Sequence, residues 1–191
     1  MSEADAGTAD WRSAKKAATR ARIRVAALEL FARDGYEAAT VERIADAAGV
    51  THTTFFRYFP TKEDVALSDD YDPMIAEYIR ARPASETDAQ KIRAAFVTGL
   101  GAIESEIRDA LLTQMRLVIA TPALRARLWE EQMQTQRLLL DALGDDSLES
   151  RAVASALIAA ASTAILAWAE AGGRESLAGM VDRAFAAVLG G

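Results

Sequence analysis

Cysteine is absent from this 191-residue sequence, and histidine occurs only once, at His52. The absence of cysteine excludes a disulfide framework, a thiol nucleophile and a thiolate zinc site. A single histidine argues against a histidine-rich metal site and against a conventional Ser-His-Asp triad with a histidine to spare. The sequence also contains no glycine-rich phosphate loop and no spaced metal ligands. We therefore expect a protein that is not an enzyme and that needs no metal ion and no cofactor.

Signals for export or for membrane insertion are also missing. The first ten residues carry three acidic residues and no basic one, which is not the composition of a signal peptide. The longest apolar stretch, residues 152–169, is rich in alanine, a weak membrane residue, and is interrupted by serine and threonine. We interpret this stretch as a buried helix, and we expect a cytoplasmic protein without a membrane partner.

The formal net charge of −6 is distributed unevenly along the chain. Residues 11–62 contain ten Lys and Arg residues against five acidic ones, a local charge of +5, whereas residues 63–191 carry −8. A basic segment joined to an acidic one is expected when only the basic segment contacts a polyanion. A solvated helix surface would carry the same charges, so the charge pattern alone leaves both readings open.

Apolar residues recur at spacings of three and four through most of the chain, and no segment alternates with the period of a strand. The pattern predicts about nine helices and an all-α protein. Residues 1–12 are polar and acidic, and we expect a disordered leader there, followed by a first helix from Ala14 to Arg33. A helix that begins at Lys62 is expected to kink or split at Pro73.

Residues 41–59 have the pattern of a helix-turn-helix. Ala45 supplies the small side chain that two closely crossing helices need, and Gly49 supplies the positive φ of the turn. Four apolar residues are placed to form the core between the helices: Ile44, Val50, Phe55 and Phe59.

The remaining side chains of the second helix, and the residues that start both helices, are polar. Short polar residues at the start of a recognition helix can reach base edges in the major groove, and those expected to be exposed are His52, Thr53, Thr54 and Arg57. Thr40 and Thr51 begin the two helices, where a hydroxyl and backbone N–H groups can bind a phosphate, and Tyr58 and Lys62 are further phosphate candidates. The alternative interpretation is a helical hairpin with a polar surface.

The order and spacing of these residues resemble the TetR family of transcriptional repressors over about residues 17–65. The resemblance is carried by seven short motifs: Ala27–Phe31, Gly35–Tyr36, Thr40–Val41, Ile44–Ala45, Ala48–Val50, Thr54–Phe59 and Lys62–Val65. It implies a helix-turn-helix DNA-binding domain at residues 13–61 and a ligand-binding and dimerisation domain at residues 62–191. It also implies a homodimer formed through the last two helices, which leaves a pseudo-palindromic operator when a small molecule binds.

Carried onto this chain, the resemblance makes Thr40 and Thr51 phosphate contacts and leaves Tyr58 and Lys62 on the phosphate side. Phe56 stands where the family usually has a tyrosine that touches the DNA backbone, so only a packing role is expected there. The residues that this resemblance places at base edges are Arg43, His52, Thr53 and Thr54. Those that precede or open the first helix, and that are expected to reach an adjacent groove or the backbone, are Lys16, Arg20 and Arg22.

The C-terminal domain offers candidates for an apolar effector pocket, although the same residue types also suit a plain core. They are Tyr71, Met74, Tyr78, Phe96, Met115, Trp129, Met133 and Trp168. Residues 116–127 resemble a subgroup of the family with an acyl-CoA-like ligand domain, which implies a long-chain acyl-CoA or another lipophilic effector. Arg116, Arg125 or Arg127 would then face its phosphates, unless they simply form a solvated helix surface.

Two other functions remain open on the sequence. The chain could be a helical protein-interaction module, or it could be an activator with the same DNA-binding domain. The last two helices, likewise, could form the core of a monomer instead of the seam of a dimer.

Overall fold

Threonine and serine side chains mark the starts of six helices in the computed structural model, which describes residues 3–68, 71–103 and 105–190. Each side chain accepts a hydrogen bond from the backbone N–H three residues further on, which satisfies a donor that the helix itself leaves unpaired. Asp64 and Gln90 complete capping boxes by accepting from the backbone N–H of their cap residues. The six cap residues are Thr40, Thr51, Thr61, Thr87, Ser147 and Ser176.

The part of the chain that the structure describes consists of ten helices without a strand, which confirms the all-α prediction. They are α1 (Glu3–Asp34), α2 (Val41–Ala47), α3 (His52–Tyr58), α4 (Lys62–Leu67), α5 (Tyr71–Arg80), α6 (Asp88–Gly101), α7 (Ser105–Ala120), α8 (Pro122–Leu143), α9 (Leu148–Glu170) and α10 (Leu177–Leu189). Their contacts divide the chain into two compact units, which we call the head (residues 1–68) and the body (residues 69–191). Helix α4 belongs to the head by this division, whereas the sequence motifs place the domain boundary before Lys62.

Two helix boundaries differ from the predicted ones. Helix α1 begins at Glu3 and not at Ala14, inside the segment expected to be a disordered leader; alanine, a strong helix former, is frequent in this segment. The helix that starts at Lys62 ends at Leu67, and α5 starts at Tyr71, so the break precedes Pro73. Pro73 lies in the first turn of α5, where the missing backbone N–H has no helical acceptor in any case.

The head is built around the second half of α1. Ile23, Ala27 and Phe31 of this helix are buried, and α2 and α4 pack against it. Helix α2 meets α3 through a turn in which Gly49 has a φ of +63°, as the helix-turn-helix pattern requires. Ala45 is 2% exposed at this crossing.

The core of the body centres on α9, which packs against α6, α7, α8 and α10. By length and composition alone, α9 resembles a membrane span, and it is the only such helix in the described ranges. However, 44% of its apolar 18-residue window is buried within the structure. Trp168 near its end is completely buried, and its indole Nε1 donates to the carbonyl oxygen of Glu175 over 3.1 Å. These contacts fit the interpretation of residues 152–169 as a core helix.

Candidate nucleic-acid interface

Helix α3 separates an apolar side from a polar side. Phe55 is completely buried and Phe59 is 1% exposed, so these two rings hold the helix in the head. His52 and Thr53 are exposed on the first turn, and Thr54 is half-buried beside them. The structure therefore places the predicted base-contacting residues of α3 together on one accessible surface.

The hydroxyl groups of Thr51 and Thr54 are coupled at the start of α3. The Thr51 Oγ1 accepts from the backbone N–H of Thr54 at 3.1 Å and donates to the Thr54 Oγ1 at 2.9 Å. Because the Thr54 oxygen acts as the acceptor in this pair, its own hydrogen can be donated outward. The cap thus orients the hydroxyl that was predicted to reach a base.

The side chain of His52, the first residue of α3, contacts α2 as well as its own helix. Its Nε2 is 3.5 Å from the Glu42 carboxylate, and its ring meets the edge of Phe56 with centroids 4.7 Å apart. The pKa of Glu42 is lowered, first by the hydrogen bond from its own backbone N–H, then by the Thr40 hydroxyl, with His52 contributing less. Phe56 is 42% exposed and packs edge-on against Phe55 as well, which agrees with a packing role.

Arg43 is engaged inside the head. Its guanidinium donates to the carbonyl oxygen of Ala38 at 2.8 Å and forms a short ion pair with Asp34. Asp34 also accepts from Arg33 Nε at 2.9 Å, and hydrogen bonds from the two arginines, led by Arg33, lower the pKa of Asp34 to about 2. A base contact by Arg43 would require this pair to open, so that role stays a prediction.

Lys62 is also committed within the head, in a way that sequence spacing does not reveal. Its Nζ donates to the carbonyl oxygen of Tyr36 over 2.9 Å and lies 4.0 Å above the centre of the Tyr36 ring. The Tyr36 hydroxyl in turn donates to Glu63 over 2.6 Å. Together these contacts fix the turn after α1 to the first turn of α4.

The basic residues of α1 fall into two groups. Arg20 is half-buried, donates to the carbonyl oxygen of Tyr58 at 3.2 Å and lies 4.3 Å over the Phe59 ring, so it connects α1 to the end of α3. Lys16 and Arg22 are exposed. The predicted DNA-contacting residues of α1 are thus divided between a structural contact and an accessible surface.

A cleft of about 470 Å³ is lined by α1, by the turn before α3 and by α3 itself, and Lys16 and Arg22 are among its α1 residues. On the α3 side the cleft is lined by Thr51, Thr54, Arg57 and Tyr58, and the Arg57 guanidinium lies 5.4 Å from the Tyr58 ring centre. Sequence reasoning missed Trp11 and Lys15, which also line it. Their spacing of four residues indicates a helix. However, Trp11 lies inside residues 1–12, the segment interpreted as a leader, whereas Lys15 lies after it.

The candidate effector-binding residues of the body have very different environments. Trp168 is completely buried and Phe96 packs edge-on against Phe185 at 5.5 Å, as core residues do. Trp129 is 67% exposed, and Met133 is half-buried outside the main apolar cluster. The candidates that are half-buried against that cluster are Tyr71, Met74, Tyr78 and Met115.

The arginines of residues 116–127 lie on accessible helix surface. Arg127 pairs with Glu130 at 3.0 Å, and Arg125 is exposed. Arg116 is exposed too, and its guanidinium, like that of Arg174, lies near Gly172. A phosphate contact by these arginines stays a prediction.

Two family models match the chain and together cover most of it. One, described as bacterial regulatory proteins of the tetR family, matches residues 23–68, and the other, described as the MftR C-terminal domain, matches residues 86–191. The first matched range contains α2, α3 and α4 and the buried half of α1. The second contains α6 to α10.

The curated relatives of this chain are transcriptional regulators as well. The transcriptional regulator TcmR of Streptomyces glaucescens is 42% identical over 122 residues, which cover 60% of this chain and 54% of TcmR. RutR of Escherichia coli K12 is 27% identical over 138 residues, covering 62% of this chain and 65% of RutR. The matches therefore span less than two thirds of the length of these relatives.

Among solved structures, Thermus thermophilus FadR, a TetR-family repressor crystallised with lauroyl-CoA, has a TM-score of 0.57 and 26% identity over 89% of this chain and 93% of FadR. FadR of Bacillus halodurans has a TM-score of 0.54 at 21% identity, covering 91% of this chain and 95% of that one, and this likeness shows the fold alone.

Proposed function

Since this chain belongs to the TetR family of bacterial regulatory proteins, we propose that it represses transcription as a homodimer that leaves its operator when an apolar effector binds. Membership confirms the resemblance seen in the motifs between residues 17 and 65. Family membership also confirms that the chain is not an enzyme, because its relatives are transcriptional regulators. The operator, the dimer and the effector are proposals.

The polar surface of α3 is the observation that carries operator recognition. His52 and Thr53 are exposed and Thr54 is half-buried on the first turn of α3, whereas the rings of Phe55 and Phe59 are buried. An α-helix fits the major groove, and short hydroxyl and imidazole side chains can donate to or accept from base edges there. We propose that these three residues read the sequence and that nearby cations hold the phosphates.

A binding assay with two DNA duplexes tests this role. Fluorescence anisotropy is measured with the intergenic DNA upstream of the gene and with a scrambled duplex of equal length. We expect Thr54→Ala to weaken binding to the intergenic duplex by about 1–3 kcal/mol while binding to scrambled DNA changes little. Thr113→Ala, an exposed threonine in α7, is the matched control. Equal losses on both duplexes would contradict base readout by Thr54.

The homodimer proposal is supported by the exposed side of α9. Ala152, Ala156, Ala159 and Thr163 follow one another at helical spacing and are all exposed, and small side chains allow close helix–helix approach. Val188 and Leu189 of α10 add two exposed apolar side chains. A two-fold dimer through these helices would match the symmetry of a palindromic operator.

Light scattering with size-exclusion chromatography tests the dimer. We expect a mass of twice the 20.5 kDa of the chain, and we expect Ala159→Glu to shift it to the monomer mass, because the dimer would bury an unpaired charge. Ala123→Glu on α8, also at an exposed alanine, is the control. A dimer that persists in Ala159→Glu would locate the interface elsewhere.

An acyl-CoA-like or other lipophilic effector is supported by the FadR structure, which contains lauroyl-CoA, and by the soft side chains at the edge of the body core. Met74 and Met115 can repack around an irregular ligand. Lauroyl-CoA is titrated into the DNA complex, with coenzyme A as the control that lacks the acyl chain. We expect lauroyl-CoA alone to weaken DNA binding by about 5- to 150-fold. No release, or equal release by coenzyme A, would contradict an acyl-recognising body.

A further inference from the structure

We propose that Glu42 selects the bases that His52 reads, because its carboxylate fixes which imidazole nitrogen carries the proton. This role rests on the proposed function and deepens it, since it names the class of base at one operator position. At that position the strand facing α3 carries a base with an exocyclic amino group, adenine or cytosine. His52 contacts the DNA, and Glu42 is a positioning residue.

The two side chains meet on the accessible surface of the helix-turn-helix. Glu42 is the second residue of α2, and His52 is the first residue of α3. Their side chains are 69% and 56% exposed, and His52 Nε2 lies 3.5 Å from Glu42 Oε1. His52 therefore belongs to the surface proposed to enter the major groove, and Glu42 borders that surface.

The Glu42 carboxylate is held by its own helix and by the residue that caps it. Hydrogen bonds from its own backbone N–H and from the Thr40 hydroxyl, in that order, lower the pKa of Glu42, and His52 lowers it further. Glu42 is therefore ionised at neutral pH. An ionised carboxylate accepts hydrogen bonds and donates none.

The neighbouring arginine does not neutralise this carboxylate. Arg43 follows Glu42 in the chain, but it pairs with Asp34 and donates to the carbonyl oxygen of Ala38 at 2.8 Å. Within the part of the chain that the structure describes, His52 is the basic side chain paired with Glu42. The imidazole thus faces a full negative charge.

The imidazole proton lies on the nitrogen that faces Glu42. A neutral imidazole carries one proton, so one nitrogen donates and the other accepts. Because Nε2 faces a group that can only accept, Nε2 is the donor and Nδ1 is the acceptor. The contacts described for this side chain, with Glu42 and with the edge of the Phe56 ring, leave Nδ1 open to a ligand.

An acceptor in the major groove distinguishes amino bases from keto bases. Adenine N6 and cytosine N4 donate there, whereas guanine O6 and thymine O4 accept. Nδ1 can therefore bind adenine or cytosine, but at guanine or thymine it would face a second acceptor. An unsatisfied acceptor in a desolvated interface is costly, so His52 rejects keto bases as well as attracting amino bases.

Selection from a duplex library with a randomised core tests this role without assuming an operator. Wild type, Glu42→Ala, His52→Ala and the double variant are each taken through binding and sequencing. We expect the wild type to enrich a motif in which one position favours adenine and cytosine over guanine and thymine by about 5- to 10-fold. Each single variant should lose this preference, and the double variant should lose no more than either one, because the two residues act as one unit.

Asp46→Ala is the matched control, because Asp46 is an exposed acidic residue on the same helix. Removing either acidic residue weakens repulsion of the phosphates, so both variants should bind scrambled DNA at least as tightly as the wild type does. This binding also shows that Glu42→Ala is folded. Only Glu42→Ala should lose the preference for amino bases.

The outcomes separate this proposal from the proposed function. If the wild type enriches a motif but either Glu42→Ala or His52→Ala keeps the preference for amino bases, the proposal is overturned and operator recognition stands. Retention in His52→Ala would mean that Glu42 contacts the base directly. If the wild type enriches no motif, operator recognition fails and the proposal fails with it.

Nuclear magnetic resonance locates the proton directly, because His52 is the single histidine of the sequence. In untagged protein labelled with nitrogen-15 in histidine, the ring signals come from this residue alone. At about pH 8.5, where an imidazole is neutral, we expect the proton on Nε2 in the complex with the selected duplex. A proton on Nδ1 in that complex would overturn the proposal, whatever bases the selection favours.

Discussion

Replacing Lys62 with methionine distinguishes a structural ammonium group from a phosphate contact. Methionine keeps an unbranched side chain. It removes the ammonium group that donates to the carbonyl oxygen of Tyr36 over 2.9 Å, and with it the positive charge 4.0 Å above the Tyr36 ring. A hydrogen bond from a charged donor is worth about 1.5–3 kcal/mol, and an exposed cation–π contact is worth about 0.5–1 kcal/mol. Since Lys62 is half-buried, we expect Lys62→Met to lower the free energy of unfolding by about 2–3 kcal/mol.

Two measurements check this expectation. For a chain of this size, the lower free energy of unfolding corresponds to a drop in Tm of roughly 5–10 °C. Thermal unfolding monitored by circular dichroism measures this drop. The salt slope of DNA binding, measured well below the Tm, should stay unchanged. Lys16→Met is the matched control, because Lys16 is exposed in the cleft; its Tm should hold while its slope falls by about 0.9. If Lys62→Met behaved like Lys16→Met, the structural role of Lys62 would be refuted.

Three further predictions concern the fold. Gly49→Ala should cost about 1–2 kcal/mol through its φ of +63° alone, because no atom lies within 4 Å of the added methyl group; unchanged urea unfolding would contradict the turn geometry. Burial, the largest single effect, raises the pKa of Glu63, but hydrogen bonds from the Tyr36 hydroxyl, its own backbone N–H and Thr61, together with the charge of Lys62, lower it below its ordinary value of 4.5. Its carboxylate should therefore stabilise the head above about pH 4.5 and lose this effect on further acidification. The stability difference between wild type and Glu63→Gln, measured across pH, should shrink accordingly; a constant difference would oppose it. Gly99→Ala should destabilise the body because its Cβ would lie 2.5 Å from Ile75 Cδ1, whereas Gly101→Ala, at 3.9 Å from its nearest neighbour, should gain up to about 1 kcal/mol of helix propensity; thermal melts that rank them the other way would refute this packing.

The sequence predicted the helix-turn-helix because that motif is local. Ala45, Gly49 and Phe55 are set by the geometry of two helices that cross within about twenty residues, and their burial and φ agree with the pattern. The apolar pattern also predicted the exposed residues of α3: His52, Thr53 and Arg57 are exposed, whereas Thr54 is half-buried. These features depend on neighbours in the chain, which a single sequence displays.

The roles of Lys62 and Arg20 could not be predicted in this way. Their acceptors are the carbonyl oxygens of Tyr36 and Tyr58, which lie 26 and 38 positions away in the chain. A backbone carbonyl has no residue-specific signature, so no pattern of side chains indicates such a contact. The sequence showed that both residues are basic and lie near the helix-turn-helix motif. Only the folded structure shows that their charged groups bind carbonyl oxygens within the head.

The candidate pocket shows a different limit. Trp129 and Trp168 look alike as large aromatics on apolar helices, yet one is 67% exposed and the other is completely buried. Within α8, Trp129 lies about 140° from the buried Leu124 but within about 20° of the buried Gln136 and Leu140. Helix register therefore does not separate the two tryptophans, because exposure depends on where the other helices of the body pack along α8.

The division of the chain at residue 68 has a consequence for its biosynthesis. Residues of that first segment form a buried core of their own, so we expect the head to fold once it has left the ribosome. Synthesis of residues 69–191 then takes on the order of 10 s, whereas small helical units fold in microseconds to milliseconds. The nascent chain therefore carries a folded head, with its basic cleft already formed, before the helices proposed to pair two subunits have been translated.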